Sequence, residues 1–274
     1  MKAEYTIDEV APYINWIYFF HAWGGNGMTV HDRQHLRAEA EERLQQHASH
    51  YRTYALFRLM DAYSDGDDIV VGDPTSRDQG RIPCLRQQQQ GSDYLCLADF
   101  ITPLHAATKG SPLSQIGLFA ATVDAGMETD FDGDPYEKMM MQLLADRLAE
   151  AATERLHQEV RRQYWGYAPD EQLGMADLMA ERWQGLRPAV GYPSLPDTSL
   201  NFVIDQLIGM SQIGIRLTEN GAMKPHASVS GLMMAHPKAR YFNVGKIGGD
   251  QLADYARRRG VPLEIMRKFL GGNL

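Results

Sequence analysis

The stretch YALFRLMDAYSDGDDIVVG, residues 54–72, contains two apolar runs separated by a short polar segment. The runs Tyr54–Met60 and Ile69–Gly72 are rich in aromatic and branched side chains, which favour strands. Between them, Ser64-Asp65-Gly66-Asp67 has the acidic residues and the glycine of a tight hairpin turn. We therefore expect an antiparallel pair of strands at this point of the chain.

Further short apolar segments follow on the C-terminal side of this hairpin. Four are short enough for buried strands, and a fifth alternates apolar with polar residues as a half-buried strand does; in chain order they are Leu95–Ile101, Ile116–Val123, Ile213–Leu217, Ala227–Ala235 and Tyr241–Ile247. Residues 73–93 are polar, with four consecutive glutamines at 87–90, and are expected to form a loop or a frayed helix.

The longest helical pattern extends from Pro135 to Gln163. Its apolar stripe at helical spacing consists of Met141, Leu144, Ala145, Leu148, Ala152 and Leu156. The opposite face carries Asp146, Glu150, Thr153 and His157. That face is either solvated or lines a cleft or a partner surface. The preceding segment Asp130–Pro135 lacks the final bidentate Glu of a calcium loop and is interpreted as the turn that starts this helix.

Shorter helices are expected on both sides of this long one. They cover about 33–50, 171–183, 250–259 and 262–270, and another begins at Pro196-Asp197 and ends at Gly209. Residues 5–23 form either a short amphipathic helix or a docked extended arm, which Gly24-Gly25-Asn26-Gly27 ends. Because strands and helices are segregated rather than alternating, the sequence predicts one α+β domain with a mostly antiparallel sheet.

Composition limits the function classes. The chain has 274 residues, of which 44% are hydrophobic and 23% charged, enough for a sizeable core. Its net charge of -8 argues against binding to nucleic acid or anionic lipid. No apolar run is long enough to span a membrane and the N-terminus has no signal-peptide profile, so a cytoplasmic protein is expected. Cys84 and Cys96 have no metal-site spacing and are interpreted as structural.

The segment Arg187-Pro188-Ala189-Val190-Gly191-Tyr192-Pro193 is a stiff irregular turn with a guanidinium at one end and an aromatic ring at the other. It follows another glycine- and aromatic-rich turn, Tyr164–Pro169. Such a segment is either a structural corner or a loop that presents backbone amides, one Arg and one Tyr to a ligand.

Several motifs in fixed order resemble the C-terminal activation domain of cobalamin-dependent methionine synthase. The resemblance is strongest over residues 94–270, extends to Tyr13–Trp23, and is carried by Cys96–Phe100, Leu144–Glu150, Tyr164–Pro169, Arg187–Pro193, Ala227–Gly231, Tyr241-Phe242 and Asp250–Arg258. It implies that residues 1–274 form a single C-shaped domain with a twisted, mostly antiparallel sheet flanked by helices.

The resemblance also implies a function. Domains of this family bind S-adenosylmethionine and reactivate an enzyme whose cobalamin has reached the inert cob(II) state. A flavodoxin-type donor supplies one electron, and the resulting cob(I) takes the methyl group of the ligand. We therefore expect a methyltransferase module that acts with a cobalamin-carrying partner domain or subunit. No catalytic side chain and no metal site of its own are expected, because the reduced cobalt is itself a strong nucleophile.

Carried over by position, the family pattern assigns the ligand contacts. Arg187 would hold the methionine carboxylate, and Glu150 would lie near the ammonium and the sulfonium. The backbone around Ala189 and Gly191 and the pair Tyr241 and Phe242 would surround the rest of the ligand, with the adenosine beside Ala189 and the pair. Tyr192 would face the corrin ring, and Asp146 would meet a histidine of the partner.

Two departures from the family pattern leave an alternative open. Asn15 stands where the family typically has an aspartate that meets the ammonium, which predicts weaker binding by about 1 kcal/mol. No homocysteine, folate or cobalamin module precedes the motifs, so the chain is expected to be a separate subunit or an excised domain. The alternative function is a non-catalytic S-adenosylmethionine sensor or a module that docks to a corrinoid protein.

Overall fold

A computed structural model describes residues 1–25, 27–75 and 79–274. Its centre is a six-stranded sheet in the order β4-β3-β2-β5-β8, with β1 paired to the first part of β2, and every pairing between these strands is antiparallel. A separate two-stranded ribbon joins β6 and β7. The strands are β1 Lys2–Thr6, β2 Arg52–Asp65, β3 Asp68–Val71, β4 Gly80–Pro83, β5 Ser114–Val123, β6 Arg216–Leu217, β7 Met223–Lys224 and β8 Ser228–Met233.

The predicted hairpin is present. Asp65 lies opposite Asp68, so Gly66 and Asp67 form a two-residue turn, and Gly66 adopts a φ of +60° that favours glycine. β2 has 14 residues; it pairs with β5 along most of its length, and with β1 at its start and β3 at its end on the other edge. This long strand therefore organises the sheet.

Helices cover both faces and one end of the sheet. They are α1 Ile7–Val10, α2 Trp16–Ala22, α3 Val30–His47, α4 Leu104–Ala107, α5 Gly126–Thr129, α6 Pro135–Glu159, α7 Met175–Met179, α8 Leu200–Ile208, α9 Gly249–Arg259 and α10 Leu263–Phe269. Residues 5–23, which were expected to form a short amphipathic helix or a docked extended arm, contain the end of β1 and the short helices α1 and α2. None of the helices within the described ranges is long and apolar enough to cross a membrane.

The sheet separates two apolar layers. Alternate side chains of a strand point to opposite faces, so Phe57 and Phe119 pack with the α6 side while Leu56 and Leu118 pack with the α8 side. A third, smaller cluster lies between α9, α10 and the segment around Val244. The predicted α+β class with an antiparallel sheet is confirmed.

Helix α6 is the main element of the first layer. Asp134 caps it by accepting hydrogen bonds from the N–H groups of Tyr136 and Glu137, and Pro135 occupies the first turn. The interpretation of Asp130–Pro135 as a helix start is therefore confirmed. The helix continues into a π-helical turn, Val160–Tyr164, a feature often found beside functional sites.

Four sequence interpretations were wrong in whole or in part. Leu95–Ile101 is not a strand, because Asp99 accepts the N–H of Cys96 and closes a 3-10 turn, Leu97–Phe100. Tyr241–Ile247 forms no regular strand, although Val244 donates to the carbonyl of Pro193. The expected loop or frayed helix at 73–93 contains β4, and the part of this prediction at 76–78 lies outside the described residues, as does Asn26 of the glycine-rich segment.

Cys84 and Cys96 are buried, unpaired thiols in the second layer, in agreement with a structural role.

The expected strand over Ile213–Leu217 is largely absent. A 3-10 turn, Met210–Ile213, follows α8, and only Arg216 and Leu217 form the short β6.

Candidate functional site

A groove of about 780 Å³ lies between α2, α6 and the segment that follows α7. Two arginines and three glutamates line it, together with aromatic and small residues, so the groove carries one excess negative charge when all five are ionised. Its lining consists of Tyr18, His21, Ala22, Phe119, Arg147, Glu150, Thr153, Glu154, Glu181, Arg187, Ala189, Tyr192, Pro193, Ser194, Val229, Tyr241 and Phe242.

The segment 186–190 runs along β8 as an irregular edge of the sheet. Leu186 and Met234 exchange two backbone hydrogen bonds of 2.8 Å, and Val190 donates to the Ser230 carbonyl over 2.9 Å. Pro188 has no N–H, but its carbonyl accepts from Leu232 at 3.0 Å. The segment is therefore fixed to the sheet, and it places its side chains at the groove.

Arg187 is nearly buried, and a carboxylate neutralises it. Its guanidinium donates to Glu154 and, over 3.2 Å, to the backbone carbonyl of Thr153 on α6. Burial opposes the positive charge, but the neighbouring Glu154 more than offsets this effect and raises the pKa of Arg187. Since a guanidinium has five N–H donors, several stay available for a further acceptor at the groove.

Glu150 lies one helical turn before Glu154. Arg147 Nη1 donates to one of its oxygens over 2.8 Å, and the Tyr192 hydroxyl is 3.4 Å from the other. Burial raises the pKa of the Glu150 carboxyl, while Arg147 acts in the opposite direction. A half-buried carboxyl with a shifted pKa in a cleft is a candidate for ligand contact.

Two groove atoms are buried without a partner among the described residues. They are Nε of Arg147 and Oε2 of Glu154, one donor and one acceptor. Buried polar atoms are rarely left without a hydrogen bond. Both atoms belong to side chains that line the groove, but neither atom is itself open to solvent, so both belong to the protein interior beside the groove.

Glu154 and Glu181 were missed by the sequence interpretation. Glu154 is four residues after Glu150 and therefore shares its helix face, a spacing that could have revealed it. Glu181 has a φ of +54°, an uncommon value for a residue other than glycine, and burial raises the pKa of its carboxyl. No local sequence pattern signals that conformation. Tyr18 and His21 on α2 were missed as well.

The face expected to carry Asp146, Glu150, Thr153 and His157 is not a solvated face. Thr153 and His157 are buried, because α6 packs there against the segment between Tyr167 and Arg187. Asp146 is outside the groove lining and 3.6 Å from Nδ1 of His226. Burial raises the pKa of Asp146, and His226 opposes that shift.

The remaining residues assigned from the family pattern fall into two groups. Ala189, Tyr192, Tyr241 and Phe242 line the groove with Arg187 and Glu150, and the Tyr241 hydroxyl donates to the Arg187 carbonyl over 3.1 Å. Gly191 and Asn15 are outside the lining; Gly191 adopts a φ of +90°, and Asn15 caps α2 by accepting the N–H of Ile17 over 3.1 Å. The ligand roles of all these residues stay predictions.

Known proteins match both the sequence and the fold. Residues 6–260 match the family described as vitamin B12 dependent methionine synthase, activation domain. A crystal structure of the MetH reactivation domain bound to AdoHcy is 35% identical, with a TM-score of 0.91, over 100% of this chain and 90% of that one. The α+β fold predicted from the segregation of strands and helices is therefore the fold of that domain, and this chain belongs to the family of vitamin B12-dependent methionine synthase activation domains.

Proposed function

We propose that this chain binds S-adenosylmethionine in the groove and provides its methyl group for the reductive methylation of cob(II)alamin on a methionine synthase partner. The observation that carries the proposal is the position of Arg187, which is fixed at the groove with guanidinium donors still available. The similarity to a reactivation domain bound to AdoHcy, the demethylated form of this ligand, supports the same choice.

The charges of the groove fit the ligand. S-adenosylmethionine carries one carboxylate, one ammonium and one sulfonium, hence one excess positive charge. The groove carries one excess negative charge, from three glutamates against two arginines. A planar guanidinium suits a carboxylate because it can donate two parallel hydrogen bonds.

We assign the ligand contacts accordingly. Arg187 would bind the carboxylate, and Glu150 would stabilise the cationic end. Tyr241, Phe242 and the backbone of Ala189 would border the adenosine. Gly191 would shape the turn that presents Tyr192, while Asn15 would act only at the margin, because its oxygen already caps α2.

The chain would act as a methyltransferase module by positioning. Cobalamin held by a partner domain supplies the nucleophile, once a flavodoxin-type donor has reduced it. The residues of this chain would bind S-adenosylmethionine, align its methyl group and exclude water from the groove. Binding energy lowers the barrier to a bimolecular transfer in this way. Tyr192 is half-exposed and would face the corrin, and Asp146 would meet the partner.

Isothermal calorimetry tests the binding step. We expect wild-type protein to bind S-adenosylmethionine and Arg187→Ala to bind it about 1.5–3 kcal/mol more weakly, the range for a lost charged hydrogen-bond pair. Arg257→Ala is the matched control, since Arg257 is an exposed arginine on α9 that pairs with Asp254. An unchanged dissociation constant for Arg187→Ala would remove Arg187 from the site. No heat and no thermal shift with wild-type protein at millimolar ligand would refute the proposed function.

A further inference from the structure

Trp183 lies behind Arg187, outside the groove lining. Its side chain is only 8% exposed. The guanidinium carbon of Arg187 is 5.5 Å from the centre of its ring, and that of Arg161 is 5.0 Å from it. One indole thus contacts two arginines.

Arg161 is a fixed part of this arrangement. It is fully buried in the π-helical turn after α6, and it donates to both oxygens of Glu171 over 2.7 and 2.6 Å. Because Arg161 is neutralised by Glu171, it holds its place without a ligand. The indole therefore packs against a rigid support on the Arg161 side.

His157 completes the surroundings of the indole. Its ring stands edge-on to Trp183, with centroids 5.2 Å apart and planes at 84°. Burial, followed by the charges of Arg187 and Arg161, lowers the pKa of His157 well below its usual range, so the imidazole stays neutral. A neutral neighbour adds no third positive charge beside the two guanidinium groups.

The position of Arg187 is then determined by two contacts. Glu154 and the Thr153 carbonyl bind its N–H groups from α6, and the indole attracts the cation through its ring electrons. The hydrogen bonds fix where the guanidinium lies, while the ring restricts its tilt. The direction of the donors left for a ligand depends on that tilt.

We propose that Trp183 is a positioning residue that orients Arg187 toward the carboxylate of the bound ligand. The inference rests on the proposed function, since it assumes that Arg187 binds this carboxylate. It predicts an effect confined to ligands that carry the carboxylate.

The test compares S-adenosylmethionine with its decarboxylated form, which keeps the adenosine, sulfonium and amine but has no carboxylate. Trp183→Met keeps an apolar side chain without an aromatic ring. We expect it to weaken S-adenosylmethionine binding by about twofold to thirtyfold, the range of a cation–π contact, and to leave the decarboxylated ligand within twofold of wild type. In an Arg187→Ala background, Trp183→Met should cause no further loss.

Trp183→Phe is a second variant that separates the loss of the contact with Arg187 from a general folding defect. It keeps an aromatic ring and should show the same ligand selectivity with a smaller loss, because Trp attracts cations best. Equal weakening of both ligands, or an undiminished loss in the Arg187→Ala background, would overturn the inference and leave Trp183 a merely structural residue. Failure of the wild-type protein to bind S-adenosylmethionine is a separate result, which refutes the proposed function as well.

Discussion

His157 is buried directly beneath the groove, where its imidazole contacts Trp183 and the Tyr167 hydroxyl. One ring nitrogen, Nδ1, is buried without a partner in the part of the chain that the structure describes. Protonation there would place a charge beside Arg187 and Arg161. Because His157 is neutral, it adds no third positive charge that would repel the two guanidinium groups beside the indole of Trp183.

This arrangement predicts a pH dependence of stability. The folded-state pKa of His157 is lowered, so the unfolded chain binds the proton more readily, and stability is lost as the pH falls through about 6.5. Between pH 7.5 and 5.5 the loss from one such group is at most about 1.4 kcal/mol. Urea unfolding of His157→Gln should therefore show a weaker decline with acid than wild type does. His35→Gln, at an exposed position on α3, is the control; parallel declines for all three proteins would contradict this account.

At the level of single residues, helical spacing predicted part of the site. It placed Asp146, Glu150, Thr153 and His157 on one face of α6, and this placement is confirmed. Spacing could not predict that Thr153 and His157 are buried, because burial there depends on contacts with residues 10 and 34 positions later in the chain. The partner of Arg187 depends on the same packing.

The segment 186–190 and strand β8 form the element that joins the groove to the sheet. Gly231 makes their close approach possible, since a Cβ at this position would lie 2.2 Å from the Pro188 carbonyl oxygen and 2.8 Å from Cα of Ala189. Both of these atoms are backbone, so neither can rotate away. The absence of a side chain at Gly231 therefore allows the segment 186–190 to lie directly against β8.

Gly231→Ala should consequently move the segment or strain the sheet. We expect a loss of about 1–3 kcal/mol in the free energy of unfolding, as for overpacked interiors, together with weaker S-adenosylmethionine binding. Gly133→Ala is the matched control, because nothing lies within 4 Å of a Cβ there. Unfolding in guanidinium chloride measures the loss of stability, and calorimetry measures the loss of S-adenosylmethionine binding. If Gly231→Ala behaved like Gly133→Ala in both assays, the close packing of this segment would not matter for the site.

Strand prediction succeeded where a pattern had local support. The hairpin turn at Gly66 identified β2 and β3, and the apolar runs Ile116–Val123 and Ala227–Ala235 identified β5 and β8. It failed at Leu95–Ile101 and Tyr241–Ile247, because a short apolar run is equally compatible with any buried segment. β4 ends in Pro83 and lies in a polar region, so its pairing with β3 had no local signal.

In the whole molecule, the sheet carries the groove on the α6 side and the C-terminal helices at one end. The groove opens beside three partly exposed tyrosines, Tyr18, Tyr192 and Tyr241. Fold class followed from the segregation of strands and helices, whereas the ligand followed only from the resemblance of motifs to a family. Composition and periodicity alone could not decide whether Arg187–Pro193 is a structural corner or a loop that binds a ligand.

Transfer of a labelled methyl group tests the central claim most directly. S-adenosylmethionine labelled in its methyl group would be incubated with the cobalamin-carrying domain of methionine synthase, a flavodoxin-type reductant and this chain. We predict labelled methylcobalamin that requires this chain and decreases with Arg187→Ala at subsaturating ligand, but not with Arg257→Ala. Ligand binding without any transfer of label, under conditions in which a known reactivation domain transfers it, would contradict the account and favour a sensor or docking module.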